Sequence, residues 1–300
     1  MKHNSLKKIA LSICFLVVFW AVYLLVFATG GKKGFPYTWA KSIQMYIKVG
    51  SHRDTGDLLK CSIPELTTLP DNFSVIIGHA YGTHKNAKND DFIADSVFKF
   101  LVKNRIYIEK IVFTGDVFSV PSKQKWERLF DEFGSRDMVL VAPGNHDVER
   151  PDSRDVFKAS NFIRQDYPYE VKINGSNLVL DDSVSSNWIV DNKVKRQILN
   201  SENEDILVVR HHILISELSK FANASNSPVP LPSVESFIKN FPSHKSLTWI
   251  MGDGGAFDHL PRITCHSYGN HRFIVNGIGE LKNDTVLILY NGNLFSYIIR

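Results

Sequence analysis

The chain is poor in cysteine, with three in 300 residues. That is too few for a disulfide-framed fold. Its 18 glycines and 12 prolines are ordinary counts for this length and exclude collagen-like and low-complexity designs. No G-x-S-x-G elbow, Walker loop or G-x-G-x-x-G fingerprint occurs, and there is no internal repeat. A surplus of basic charge is also missing once the N-terminus is set aside. Lys+Arg number 35 and Asp+Glu 31, but Lys2, Lys7, Lys8, Lys32 and Lys33 fall in the first 33 residues, which hold no acid. Removing those five leaves 30 basic against 31 acidic side chains. No general electrostatic grip on nucleic acid is therefore expected. What remains is 44% hydrophobic and 22% charged, the composition of a folded chain.

The longest apolar run is residues 10–28, ALSICFLVVFWAVYLLVFA, with no charge and one hydroxyl, Ser12. At about 1.5 Å per residue such a helix nearly crosses a hydrocarbon core of ~30 Å. A cleaved leader usually has an apolar stretch of only about 7–15 residues, so the length favours an uncleaved anchor. Residues 1–9 then form a short cytoplasmic lead, and the basic residues before the run orient the rest of the chain outside the cytoplasm. The expected localisation is a single-pass membrane protein with a periplasmic or extracellular soluble part. Cys61 and Cys265 could pair there, though two cysteines so far apart do not establish it.

Residues 34–70 mix Gly34, Pro36, Gly50, Pro64 and Pro70 with short apolar patches and read as a linker and cap. From residue 71 to 300 the pattern settles. Strands are expected at 73–77 (FSVII), 111–114 (IVFT), 138–142 (MVLVA), 206–210 (ILVVR) and 247–251 (LTWIM). Helical spacing appears at 91–102, 123–133 and 193–199. Hairpins are expected at 169–181 and 285–299, turning at Asn174-Gly175 and Asn291-Gly292. Strands alternating with helices predict one α/β domain with a largely parallel inner sheet.

In such sheets ligands bind beyond the carboxyl ends of strands. The five expected strands are followed by Gly78-His79-Ala80-Tyr81, Gly115-Asp116, Gly144-Asn145-His146-Asp147, His211-His212 and Gly252-Asp253-Gly254-Gly255. Each presents His, Asp or Asn beside a small residue. Imidazole, carboxylate and amide oxygen together suit Mn, Fe or Zn better than a thiol-dominated structural site does.

This arrangement resembles the calcineurin-like metallophosphoesterases. Gly115-Asp116 looks like that family's second motif, Gly144-Asn145-His146-Asp147 matches its third, and His211-His212 looks like its fourth. The resemblance implies layered β-sheets flanked by helices, one or two divalent transition-metal ions, and hydrolysis of a phosphoester by metal-activated water. It implies that Asp116 bridges the metals, that Asn145 and His211 bind the second, and that His146 protonates the leaving oxygen. Asp147 is expected to orient His146. Two motifs depart from the family pattern. Asp-x-His at the first becomes His79-Ala80-Tyr81, and Gly-His-x-His at the last becomes Gly252-Asp253-Gly254-Gly255. His79 and Asp253 are the candidate ligands left there, and His84, His259 or His266 could reach in from loops. The first metal position is thus expected to be depleted and the second intact.

The function expected is a membrane-anchored phosphoesterase acting on a phosphorylated small molecule or a glycan or lipid phosphate. The alternative is a catalytically weak or inactive member of the fold, serving as a binding or assembly component in cell-envelope or surface-polysaccharide processes.

Overall fold

The computed structural model describes residues 16–18, 20, 55–82, 92–135, 137–149, 151–160, 163–222, 227–255, 261–279 and 283–299. The chain divides into two compact units, Met1–Gly50 and Ser51–Arg300. Of the first unit, Leu16, Val17, Val18 and Trp20 are helical and 60–63% exposed. The rest of the anchor expected at 10–28 lies outside the described residues. Among the described residues no helix is long and apolar enough to cross a membrane.

The second unit contains two mixed β-sheets. Strands β2 (Phe73–Ile77), β3 (Ile108–Phe113) and β4 (Val139–Val141) run parallel to one another. The hairpin β11 (Thr285–Tyr290) and β12 (Asn293–Ile298) joins them antiparallel, giving the order β12-β11-β2-β3-β4. The other sheet has a parallel centre made of β6 (Ser176–Leu180), β7 (Asp205–Arg210), β8 (Ser246–Met251) and β10 (His271–Asn276). Antiparallel strands β5 (Tyr169–Ile173), β9 (Ile263–Tyr268) and β1 (Leu59–Lys60) flank it, giving β1-β9-β10-β8-β7-β6-β5.

The two-residue period of a strand explains why both faces of these sheets are covered. In β2, Phe73, Val75 and Ile77 face an outer cluster, while Ile76 joins Val112 and Leu140 against Val209 and Ile250 of the other sheet. In β8, Leu247, Trp249 and Met251 face the opposite outer cluster, and Ile250 faces inward. Helices close the outer faces. Helix α1 (Asp95–Asn104) buries Val97, Phe100 and Leu101. Helix α2 (Lys123–Phe133) buries Trp126, Leu129, Phe130 and Phe133, one stripe at helical spacing. Its first turn is capped by the Ser122 hydroxyl, which accepts from the Lys125 N–H. Two short helices follow, α3 (Asn145–Val148) and α4 (Pro151–Ala159). On the far face, α5 (Asn192–Asn200) buries Val194 and Ile198, and α6 (Val234–Ile238) buries Val234 and Phe237.

Two features carry little signal in the sequence. The described part of the expected linker, from residue 55 onward, belongs to this unit. Leu59 and Lys60 pair with Ser267 and His266, Glu65 bridges Ser296, and Cys61 forms a disulfide with Cys265 across 204 residues. Edge pairing needs no apolar alternation, so it left no periodic trace. The β9–β10 hairpin was also unforeseen, because β9 (ITCHSY) is only half-buried and mixes polar with apolar residues.

One buried histidine gives the outer core a pH dependence. His271 accepts a hydrogen bond from the Trp249 indole N–H at 3.1 Å, among Phe237, Phe241 and Phe273. Burial pulls its pKa from the ordinary 6.5 to about 4. The unfolded chain therefore binds a proton that the folded chain refuses, and this contribution to stability is lost as pH falls from 6.5 through about 4. Denaturant midpoints should show the gap between the native protein and His271→Gln narrowing over that window. A gap independent of pH would contradict this.

Candidate functional site

The sequence motifs converge because two sheets end at the same place. The parallel strands β2, β3 and β4 deliver His79, Asp116 and Asn145, and the parallel strands β7 and β8 deliver His211 and Asp253. Glycine permits the approach. A Cβ on Gly252 would land on the Thr114 carbonyl, and one on Gly144 would land on the Asp116 carboxylate and backbone nitrogen. Two ends carry backbone strain. His79 (φ 51°) and Asp116 (φ 54°) both occupy the left-handed region, which is costly for side chains beyond glycine.

Asp116 is the hub. Its Oδ1 accepts from the His146 backbone N–H at 3.0 Å and lies 3.4 Å from His211 Nε2. Its Oδ2 lies 3.7 Å from His79 Nε2. Burial opposes its ionisation, but His211, His146 and His79 outweigh burial and hold the carboxyl below its ordinary value.

The tautomer of His211 follows from its partners. Nδ1 lies 3.0 Å from the Thr114 carbonyl, which can only accept, so Nδ1 carries the proton. Nε2 then faces Asn145 Oδ1 at 3.1 Å, Asp116 Oδ1 at 3.4 Å and Asp253 Oδ1 at 3.9 Å. A bare lone pair aimed at three oxygens is repulsive. A cation between them, either a second proton on the ring or a metal ion, would relieve this. Burial disfavours the proton, yet Asp116 and Asp253 hold the pKa of His211 above its usual value. The donor set fits a divalent transition metal, with the second ring nitrogen tied to a backbone carbonyl as in metal-ligating histidines. The amide of Asn145 is integral to it. Among the described residues no group of three or more His, Cys, Asp or Glu is arranged to hold a metal ion.

The depleted position is equally plain. The Tyr81 ring is buried beside His79, with centroids 4.2 Å apart, and lies 5.2 Å from the ring of His146. Gly255 sits at φ 71°, and a Cβ there would land on the Gly277 carbonyl, so no ligand side chain fits. His84 and His259 lie outside the described residues. His266 is on β9 against Phe221 and Thr264, away from this cluster.

Asp147 does not orient His146. Its carboxylate accepts from the N–H groups of Val117 (3.1 Å), Gly144 (2.9 Å) and Phe118 (3.5 Å), stapling the loops after β3 and β4. Burial first, then the charge of Asp116, pushes it up to about 7. The His146 ring is instead held by Nδ1 donating to the Ser119 carbonyl at 3.0 Å, which leaves Nε2 available. Backbone carbonyls such as Thr114 and Ser119 leave no mark in a sequence. Neither does the buried Asn276, whose Oδ1 accepts from the Gly78 N–H at 3.0 Å.

A family model described as calcineurin-like phosphoesterase matches residues 83–235, half of the chain, and the protein belongs to that family. Two solved structures are remotely similar. Phosphopantetheinyl hydrolase (PptH) from Mycobacterium tuberculosis is 11% identical, with 69% of this chain and 90% of that one covered and a TM-score of 0.38. A conserved uncharacterized protein, described as a predicted phosphoesterase, from Streptococcus pneumoniae TIGR4 is 9% identical, with 77% and 99% covered and a TM-score of 0.31. No curated protein matches the sequence.

The close approach at Gly144 has a measurable consequence. Gly144→Ala should cost about 1–3 kcal/mol by overpacking. Gly56→Ala, with nothing within 4 Å of the new methyl, should change stability by less than about 0.5 kcal/mol. Equal denaturant midpoints for the two variants would show that the Gly144 contact is relaxed at no cost.

Proposed function

We propose that the protein is a metal-dependent phosphoester hydrolase, held at a membrane by residues 10–28 with its catalytic unit outside the cytoplasm. The observation that carries this is the convergence of His211 Nε2 with oxygens of Asn145, Asp116 and Asp253. Those four residues would hold one divalent ion, Mn, Fe or Zn, with His79 on the other oxygen of Asp116. A second ion would lack ligands, because Tyr81 and Gly255 stand where the family places them. The ion, when bound, neutralises phosphate oxygens and lowers the pKa of a water.

The chain's own residues do the rest. Thr114 fixes the ring of His211 with Nε2 toward the ion. Asp147 holds the Gly144 turn that presents Asn145. His146 is half-buried and anchored through Nδ1, which leaves Nε2 for the substrate. Protonated there, it donates to the leaving oxygen as the ester bond breaks. The Cys61–Cys265 disulfide supports an oxidising compartment. The family's substrates are phosphorylated compounds; a phosphorylated small molecule or a glycan or lipid phosphate at a membrane surface is consistent with the proposed anchor.

A second reading has its own observation. The substituted first and last motifs also suit a binding or assembly component at the membrane with little or no turnover. The purified full chain in detergent separates the two. It should retain about one equivalent of transition metal per chain and hydrolyse an activated phosphodiester. His146→Ala should lower turnover by about 10²–10⁴-fold for a poor leaving group and less for an activated one. Folded protein that takes up no metal at any pH would end the hydrolase reading, and a cellular phenotype unchanged by His146→Ala would favour the binding component.

A further inference from the structure

We propose that Arg210 is a positioning residue for the cation site, acting through the turn that carries His211. This rests on the metal-dependent reading of the rim. Strand β7 ends in a guanidinium with no exposed surface. A buried charge needs a full set of partners. Arg210 has contacts in three directions, one ion pair and two hydrogen bonds. Nη1 lies 2.9 Å from Asp181 Oδ2, just past the end of β6. Nε donates to the His212 carbonyl at 3.1 Å, and Nη2 donates to the Trp188 carbonyl at 2.6 Å.

Those contacts fix the residue after His211 on every side. The His212 ring stacks on Trp188, with centroids 3.9 Å apart and planes 17° apart. Its N–H donates to the Ser183 hydroxyl at 3.2 Å, and its Nδ1 lies 3.1 Å from the same oxygen. Trp188 is itself held at φ 72°, with its N–H donating to the Ser183 carbonyl at 2.8 Å. On the other side, the His211 carbonyl accepts from the Gly252 N–H at 3.0 Å and the Asp253 N–H at 3.2 Å. The peptide link between His211 and His212 is thus clamped from the ends of β6 and β8, the two strands that flank β7, and Arg210 supplies part of the clamp on the β6 side. A buried ion pair is a poor source of stability, since apolar replacements of similar volume are often neutral or better. Its planar fork does what an apolar side chain cannot, namely tie three separate segments in one fixed geometry. The outcome is that His211 Nε2 stays aimed at Asn145 and Asp116. Arg210 touches neither ion nor substrate.

Arg210→Lys tests this, because an ammonium keeps the charge and cannot span three acceptors. The full chain carrying Arg210→Lys should lose at least about tenfold in Mn²⁺ affinity by titration calorimetry. The nuclear magnetic resonance signal of the His211 Nδ1–H should shift or broaden. Ile198→Ala, a deletion in the neighbouring outer core, serves as the structural control and should keep Mn²⁺ affinity within about twofold despite lower stability. Native affinity and an unmoved resonance in Arg210→Lys would overturn the proposal, as would an equal loss of affinity in Ile198→Ala. If Arg210→Lys does not fold, Asp181→Asn, which leaves both carbonyl contacts of Arg210 in place, should still weaken Mn²⁺ binding about threefold or more; no change would overturn it. A native chain without Mn²⁺ affinity would defeat the metal reading instead, and the His211 resonance would then decide the positioning role.

Discussion

At the shared end of the two sheets, an imidazole nitrogen meets oxygens from an amide and two carboxylates, and the hydrogen bond to Thr114 leaves that nitrogen no proton to offer unless the ring is charged. The fold spends stability to build this meeting. Two non-glycine residues, His79 and Asp116, are kept left-handed, and Gly144 and Gly252 leave space that any side chain would occupy. Asp147 and Arg210 are buried ionisable side chains that bind the backbone of the rim loops, Arg210 beside the carboxylate of Asp181. Such groups cost more than apolar ones would in the same volume. Their common effect is to hold a set of like-polarity atoms together until a cation, proton or metal, occupies the centre.

The two sides of Asp116 are not equivalent. Toward His211 the oxygens are matched by a histidine, an amide and a second carboxylate. Toward His79 the neighbours are the aromatic rings of Tyr81 and His146. The backbone of His146 binds Asp116, and its ring is tied to the Ser119 carbonyl through Nδ1.

Much of this was legible in the chain. Strand β2, helix α2 and both Asn-Gly hairpins follow from a short continuous apolar run, a stripe at helical spacing and turn chemistry. The rim residues were legible because each follows an apolar strand and adjoins a small residue. Missing were the interactions that carry no side-chain signature. Ser119, not Asp147, orients His146, since a carbonyl acceptor is the same in every residue. The edge strand β1 and its neighbour β9 have no apolar rhythm, since ladder pairing uses backbone alone. Arg210 and Asp181 stood in the sequence as charged ends to apolar runs, ILVVR and LVLD, but only the third dimension shows that they meet.

The central claim is a single cation held by His211, Asn145, Asp116 and Asp253. Anomalous X-ray scattering from crystals grown with Mn²⁺ tests it most directly. One peak within coordination distance of those four side chains, and none on the Tyr81 side of Asp116, is the expected result. No peak at the rim, or a second ion of equal occupancy against Tyr81, would contradict it.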